Sequence, residues 1–229
     1  KAGKFVFCEK PLEITADQCR ALIRADEAAK GRTWVGFNLR HAPLYIEARR
    51  MVAAGDLGRI LTVQADEFYD GGRTYFRRWN GARAESGGLW ITKASHDFDL
   101  LTWLVSAAPL EVYAQAAKTY YVPKPEAGRQ CRACALADRC PDRAPATPHD
   151  LLRIAEEEGG LPYDLCLYNT PSDTFDHGMA QIRYEGDILA TYTCNVVAGF
   201  TARRRRISGT KGTLDGHLEG KTMTFFRRA

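Results

Sequence analysis

The first forty residues constrain the fold most, because they switch between two periodicities in a fixed order. Lys4-Phe5-Val6-Phe7-Cys8 is a short apolar run that reads as a buried strand. It stops at Glu9-Lys10-Pro11, where Pro11 has no N–H with which to continue a ladder. Thr15-Ala16-Asp17-Gln18 has the spacing of a helix capping box. Cys19, Leu22, Ile23 and Ala29 then recur at helical spacing, and Gly31 can close the helix. Trp34-Val35-Gly36-Phe37 reads as a second strand. Two strands joined by a helical crossover pair in parallel, so the opening predicts a piece of parallel α/β layer.

The rest of the chain carries a different pattern. A helix is expected from Pro43 to about Ala54, with Leu44, Tyr45, Ala48, Met51 and Val52 on its apolar face. Leu61, Val63 and Ala65 alternate with Thr62, Gln64 and Asp66, as in a strand with one wet face. Gly71-Gly72 and Gly87-Gly88 bracket a polar, aromatic loop with Tyr75, Phe76, Arg78 and Trp79. Ser95 is placed to cap a helix carrying Phe98, Leu101 and Leu104. Glu111 to Tyr121 reads as a strand, and residues 122–172, rich in Pro, Cys and charge, as an inserted excursion. Thr174–Tyr184 and Ile188–Val197 form a hairpin around Glu185-Gly186-Asp187, with strands at Arg203–Ser208 and Thr222–Phe226 after it. The expected fold class is an α/β fragment followed by an α+β domain on a large, mostly antiparallel open sheet.

Composition narrows the function classes. No apolar run approaches the ~20 residues that cross a bilayer. The net charge of +4 sets 32 basic against 28 interspersed acidic residues, which does not call for a polyanionic partner. The run Arg203-Arg204-Arg205-Arg206 invites a nucleic-acid reading, but on a strand alternate arginines face opposite sides. A solvated edge, or ion pairs within an oligomer, is the plainer expectation. Seven cysteines do not pair evenly, and Cys8, Cys19 and Cys194 stand in apolar surroundings, so a reducing, cytoplasmic setting is expected. Because the chain starts at Lys1 inside a structural element, any targeting signal is expected upstream.

Two short motifs carry chemistry. Glu9-Lys10-Pro11 lies where a parallel strand ends, and ligands of open α/β sheets bind at that edge. Taken alone, Lys10 also reads as an exposed lysine in a turn. Ser95-His96-Asp97-Phe98-Asp99 places His96 in the first turn of a helix, whose positive end disfavours imidazolium. A neutral histidine suits a general base toward an alcohol, or it simply helps to cap the helix. Lys93 is expected to face the same cleft. Asp176-His177 opens the hairpin and can reach that cleft from the sheet or serve structure alone. Cys131-x-x-Cys134-x5-Cys140 with the distant Cys166 suits a zinc site or an iron–sulfur cluster, or else four reduced thiols or a disulfide.

Between the two motifs lie Val35-Gly36-Phe37-Asn38-Leu39-Arg40-His41-Ala42-Pro43 and Gly55-Asp56-Leu57-Gly58-Arg59-Ile60. In this order and spacing, and on through Gly87-Gly88, Ser95–Trp103, the hairpin and Ile207-Ser208-Gly209-Thr210-Lys211-Gly212, the chain resembles the Gfo/Idh/MocA family of oxidoreductases. The resemblance implies a Rossmann domain joined to an open-sheet domain, with residues 1–40 a remnant of the first and 41–229 the second. It implies hydride transfer between a sugar, polyol or inositol-like hydroxyl and NAD or NADP, in a homodimer or homotetramer joined through the open sheet. A member that cleaves glycosides by transient oxidation, or a non-catalytic sugar-binding module, is the alternative. Lys10 and His96 match the family's catalytic positions; Glu9, Lys10, Pro11, Asn38 and Arg40 match those near the cofactor. Tyr69, Trp79, Asp97 and His177 are expected around the substrate, with Lys93, Asp97 or Asp99 sharing the acid–base work. Two departures stand out: Thr92 sits where many relatives carry an aspartate, and no Gly-x-Gly-x-x-Gly turn is present to hold a pyrophosphate. The chain therefore reads as a truncated form.

Overall fold

A computed structural model describes residues 3–77, 79–146 and 149–229. Arg78, named in the loop above, lies outside the described residues. Strands β1 (Val6–Cys8) and β2 (Thr33–Val35) pair in parallel and are joined by helix α1 (Ala16–Ala28). The capping box forms: the Gln18 N–H donates to Thr15 Oγ1 at 3.3 Å, and the Thr15 N–H donates to Gln18 Oε1 at 3.1 Å.

Three-residue strands make too small a sheet to cover a helix. No residue of α1 is buried, and Phe7, Ile23 and Trp34 are each more than half exposed. The expected burial of this piece is corrected accordingly, and Cys8 and Cys19 are half-buried rather than enclosed.

The larger unit is a seven-stranded sheet built from β3 (Ile60–Phe68), β4 (Pro109–Ala117), β5 (His177–Tyr184), β6 (Ile188–Asn195), β7 (Ala202–Gly209), β8 (Gly212–His217) and β9 (Thr222–Arg227). Its order is β4-β5-β6-β3-β7-β8-β9. β3 runs parallel to β6, and the other pairings in this sheet are antiparallel. Helix α2 (Pro43–Ala53) and the helix Ser95–Val105 take part in the core with one face of the sheet. Tyr45, Ala48 and Met51 meet Leu100, Leu101 and Leu104 there, over Val63, Ala65, Ile182, Tyr192 and Ile207. Removing this apolar surface from water is the main drive for the domain. Elsewhere on the sheet, Tyr113, Met179 and Leu189 remain exposed.

Several expected boundaries move, each for a local reason. Ala94, not Ser95, occupies the cap position, and Ser95 is the first helical residue with its hydroxyl buried and unpartnered. β4 ends at Ala117 because the next backbone N–H groups turn inward: those of Thr119, Tyr120 and Tyr121 all donate to the buried Asp176 carboxylate. β8 carries glycine at both Gly212 and Gly216, which masks its alternation in the sequence. The close approach of β9 requires the first of these, since a Cβ on Gly212 would fall 2.6 Å from the Phe226 carbonyl oxygen. β7 lies between β3 and β8, so the expected solvated edge for the arginine run is corrected to an interior strand. No described helix is long and apolar enough to cross a membrane.

The described residues of the segment 122–172 are largely irregular, with short turns at Cys131–Ala133 and Ala137–Arg139 and a helix at Asp150–Glu157. Arg77 holds it to the domain by donating to the carbonyl oxygens of Asp142 at 2.6 Å and Leu165 at 3.1 Å.

Candidate active site

The chain leaves β1 at Glu9-Lys10-Pro11, and the Lys10 ammonium reaches over the seam to the larger unit. Its Nζ donates to the carbonyl oxygen of Thr92 at 2.7 Å. Thr92 ends the short turn Leu89–Thr92, which leads through Lys93 into the helix Ser95–Val105. His96 stands in the first turn of that helix, 9% exposed, with Phe37 from the β2 side packed against its ring at 6.1 Å between centroids. The two sequence motifs, 86 positions apart, thus converge on one seam.

Their electrostatics agree with that placement. Burial pushes the His96 pKa down to about 4; Lys10, Arg203 and Lys93 reinforce the shift and Asp97 opposes it. Burial likewise lowers the Lys10 pKa, helped by Lys93 and Arg203. His96 is therefore neutral near pH 7, and its Nδ1 is buried without a hydrogen-bond partner. A neutral imidazole beside an ammonium can take a proton from a hydroxyl while the ammonium stabilises the oxygen.

Beneath these groups runs a line of buried charge. Lys93 Nζ lies 2.7 Å from Glu67 Oε1 and 3.7 Å from the centre of the Tyr69 ring. Glu67 Oε2 lies 2.5 Å from Arg203 Nε, which in turn is 3.3 Å from Asp97 Oδ1. Arg205 also pairs with Asp97, whose other oxygen accepts the Tyr192 hydroxyl at 2.9 Å. The Glu67 contacts are at ion-pair distance, although neither oxygen meets hydrogen-bond geometry. Glu67 does not stand out in the sequence, and Arg203 and Arg205 stand out there only as part of an arginine run expected at a solvated edge. The signal was available: Glu67 continues the apolar phase of Leu61, Val63 and Ala65, and a carboxylate on the core side of a strand needs a partner.

The other expected site residues are placed unevenly. Tyr69 is at the site, its ring against the Lys93 ammonium. Asp97 is fully buried and held by two arginines and Tyr192, beneath the site. His177 pairs with Asp176 at 2.7 Å through Nδ1, at the start of β5. Trp79 is 54% exposed in a single turn. Glu9 and Asn38 are exposed, and Pro11 is half-buried. Arg40 clasps Asp99 with two nitrogens, its Nε at 2.8 Å from Oδ2, and lies over the Phe37 and Trp103 rings. That ties the β2 segment to the helix Ser95–Val105 and commits the guanidinium that was expected near a cofactor. The arginine run divides as strand geometry requires, with Arg203 and Arg205 turned inward and Arg204 and Arg206 exposed.

The four cysteines expected at a metal centre do come together. Cys131, Cys134, Cys140 and Cys166 line one cavity of about 270 Å³, and all are free thiols. Among the described residues, however, no group of three or more His, Cys, Asp or Glu side chains is arranged to hold a metal ion. Backbone N–H groups donate to two of the sulfurs, Gly128 to Cys134 at 3.2 Å and Ala144 to Cys131 at 3.4 Å. The segment is fastened by Arg132 on Asp164 and by Asn169 on the carbonyls of Lys124 and Ala127.

A parallel β-α-β piece set beside a mixed, mostly antiparallel sheet, with lysine and histidine meeting at their seam, defines a two-part α/β and α+β protein. Residues 45–215 match the GFO/IDH/MocA C-terminal domain, and the chain belongs to the GFO/IDH/MocA family. It is 31% identical over 232 residues to YteT of Bacillus subtilis, which carries an oxidoreductase name, covering 93% of this chain and 54% of that protein. It is 31% identical over 119 residues to inositol 2-dehydrogenase of Rhizobium meliloti, covering 51% of this chain and 34% of that one. The fold is shared with the WlbA dehydrogenase of Bordetella pertussis, solved in complex with NADH and UDP-GlcNAcA, at a TM-score of 0.70 and 20% identity, covering 100% of this chain and 57% of that one. The chain spans about half the length, or less, of these relatives.

The depressed imidazole gives a stability test. An unfolded histidine takes its proton near pH 6.5, whereas folded His96 does so at about 4. The native state therefore binds fewer protons in that window, and stability falls as the pH drops through it. Between pH 7 and pH 5 the wild type should lose about 1–2 kcal/mol more folding free energy than His96→Gln, read by urea unfolding. Equal losses would contradict the buried, neutral imidazole.

Proposed function

We propose that this chain is the substrate-side part of an NAD(P)-dependent oxidoreductase acting on a hydroxyl of a sugar, polyol or inositol-like compound. The observation that carries this reading is the Lys10–Thr92 hydrogen bond, which brings the ammonium into the electrostatic neighbourhood of His96. Family membership and relatives with dehydrogenase names support it. The residues present fit the reactive end of a nicotinamide cofactor. Lys10 stands at the C-terminal edge of a parallel strand pair, where such ligands lie, and Asn38 is exposed at the start of the neighbouring turn. Arg40, engaged with Asp99, is left out of that set.

Nicotinamide, when bound, supplies the hydride acceptor. The chain's own groups manage the oxygen. His96 accepts the hydroxyl proton, the adjacent carbon gives up its hydrogen as hydride, and the oxygen becomes a carbonyl. Lys10 donates to that oxygen and stabilises negative charge while the proton leaves. Tyr69 offers an aromatic face on which a sugar ring can stack, beside the Lys93 ammonium. We place residues 1–40 with the cofactor half and 41–229 with the substrate half. A reducing, cytoplasmic setting rests on the seven free cysteines. Association into a homodimer or homotetramer rests on the exposed Tyr113, Met179 and Leu189 of the open sheet.

With the full-length protein, NAD+ or NADP+ and a panel of sugars, polyols and inositols, reduced nicotinamide should accumulate with at least one substrate. His96→Ala should lower kcat by about 100-fold or more; normal turnover in that variant would reject the assignment. Light scattering on the same preparation should give an even multiple of the protomer mass, falling to the protomer mass in a Tyr113→Lys, Met179→Lys variant. A monomeric wild type would remove the oligomer from the proposal.

A further inference from the structure

Five buried or nearly buried side chains alternate in sign along one line of contacts. They are Lys93, Glu67, Arg203, Asp97 and Arg205, and their side-chain exposures run from 0 to 13%. Glu67 comes from β3, Arg203 and Arg205 from β7, and Asp97 from the helix Ser95–Val105. Buried ion pairs contribute little net stability, because stripping water from each charge offsets most of the Coulomb attraction. A line of five therefore calls for a positional reason. The Arg205 end is sealed in the core, 3% exposed. The Lys93 end emerges beneath the catalytic seam, where its charge is felt by both Lys10 and His96.

Lys93 is held from every side that packs on it. Glu67 meets its ammonium from β3, the Tyr69 ring lies 3.7 Å from it, and Tyr75 lies 5.8 Å away. Lys10 and Arg203 are the neighbouring cations, and Asp97 is the next carboxylate along the line. Glu67 is the one carboxylate within ion-pair distance of Lys93 among the described residues, so it alone can fix both the position and the charge of that ammonium.

Resting on the dehydrogenase reading above, we propose that Glu67 is a positioning residue for the reaction. It anchors the Lys93 ammonium beside His96, so that the substrate oxygen losing its proton faces two cations, Lys10 and Lys93. The surplus of positive charge at the seam then serves two ends. It stabilises the developing alkoxide, and it adds to the burial that keeps the imidazole unprotonated and ready as a base.

Glu67→Gln keeps the shape of the side chain and removes its charge. In the full-length protein without substrate, carbon NMR of the lysine side chains, with Lys93→Met for assignment, should show the Lys93 titration falling by about one pH unit or more in Glu67→Gln. Glu67→Asp, which retains the charge, should restore most of it. With a substrate from the panel, Glu67→Gln should lower kcat about tenfold or more with little change in KM, and move the high-pH limb of kcat to lower pH. In a Lys93→Met background the same substitution should change kcat by less than about threefold, because the group it positions is gone. An unchanged Lys93 titration, or equal kcat losses in both backgrounds, would overturn the proposal. A wild type that turns over nothing on the panel would overturn the dehydrogenase reading and the catalytic role with it, while the titration still decides whether Glu67 sets the charge of Lys93.

Discussion

The architecture depends on how two carboxylates are partnered inside a sheet domain; burial pushes the Glu67 carboxyl up, and Arg203 and Lys93 oppose that shift. Glu67 on β3 and Asp97 on the helix Ser95–Val105 are both fully buried. An isolated buried carboxylate is costly enough that it takes up a proton instead. Here β7 supplies Arg203 and Arg205 on its inward face, and the turn before the helix supplies Lys93. Opposite charges about 4 Å apart attract by roughly 4 kcal/mol at an effective dielectric of 20, enough to compensate for much of the lost hydration only when each carboxylate has more than one cation. Both do. The register that places Glu67 opposite Arg203 across β3 and β7 is therefore as much a requirement of charge as of packing.

That arrangement fixes the floor on which the chemistry stands. Asp97 anchors the first turn of the helix and so fixes where the next residue back, His96, stands. Glu67 ends its line of contacts at Lys93. The smaller β-α-β piece is tied over this floor at two points, through Lys10 on the Thr92 carbonyl and through Arg40 on Asp99. Neither tie is a large apolar interface, and the apolar side chains of the piece are largely left exposed. The seam is thus polar and held by directed bonds.

Much of this was legible in the residues. The periodic segments gave the strand–helix–strand opening, α2, the hairpin of β5 and β6 and most of β7, because their apolar spacing is clean. Lys10 and His96 stood out because each sits where an element ends or begins, and such positions expose side chains to a cleft. What could not be read was any partnership between elements distant in sequence. Arg203 and Arg205 looked like a surface feature because nothing local shows that β7 lies inside the sheet. Asp97 looked like a substrate contact because it adjoins His96, yet a helix turns successive residues about 100° apart, which directs it inward. The four thiols share a cavity as their spacing suggested, but backbone donors and the Arg132–Asp164 pair organise the segment without a metal geometry. β8 escaped notice because its glycines answer to the close approach of β9 rather than to strand propensity.

The Lys10 ammonium lies close enough to the His96 imidazole, across the seam, for its charge to act on the ring. Proton or nitrogen NMR titration of the His96 ring in the wild type and in Lys10→Met reads that proximity, because a neighbouring ammonium disfavours the imidazolium. Removal of the neighbouring cation should raise the His96 pKa from about 4 toward its ordinary value. An identical titration in both proteins would mean that the two groups do not meet, and would contradict the account.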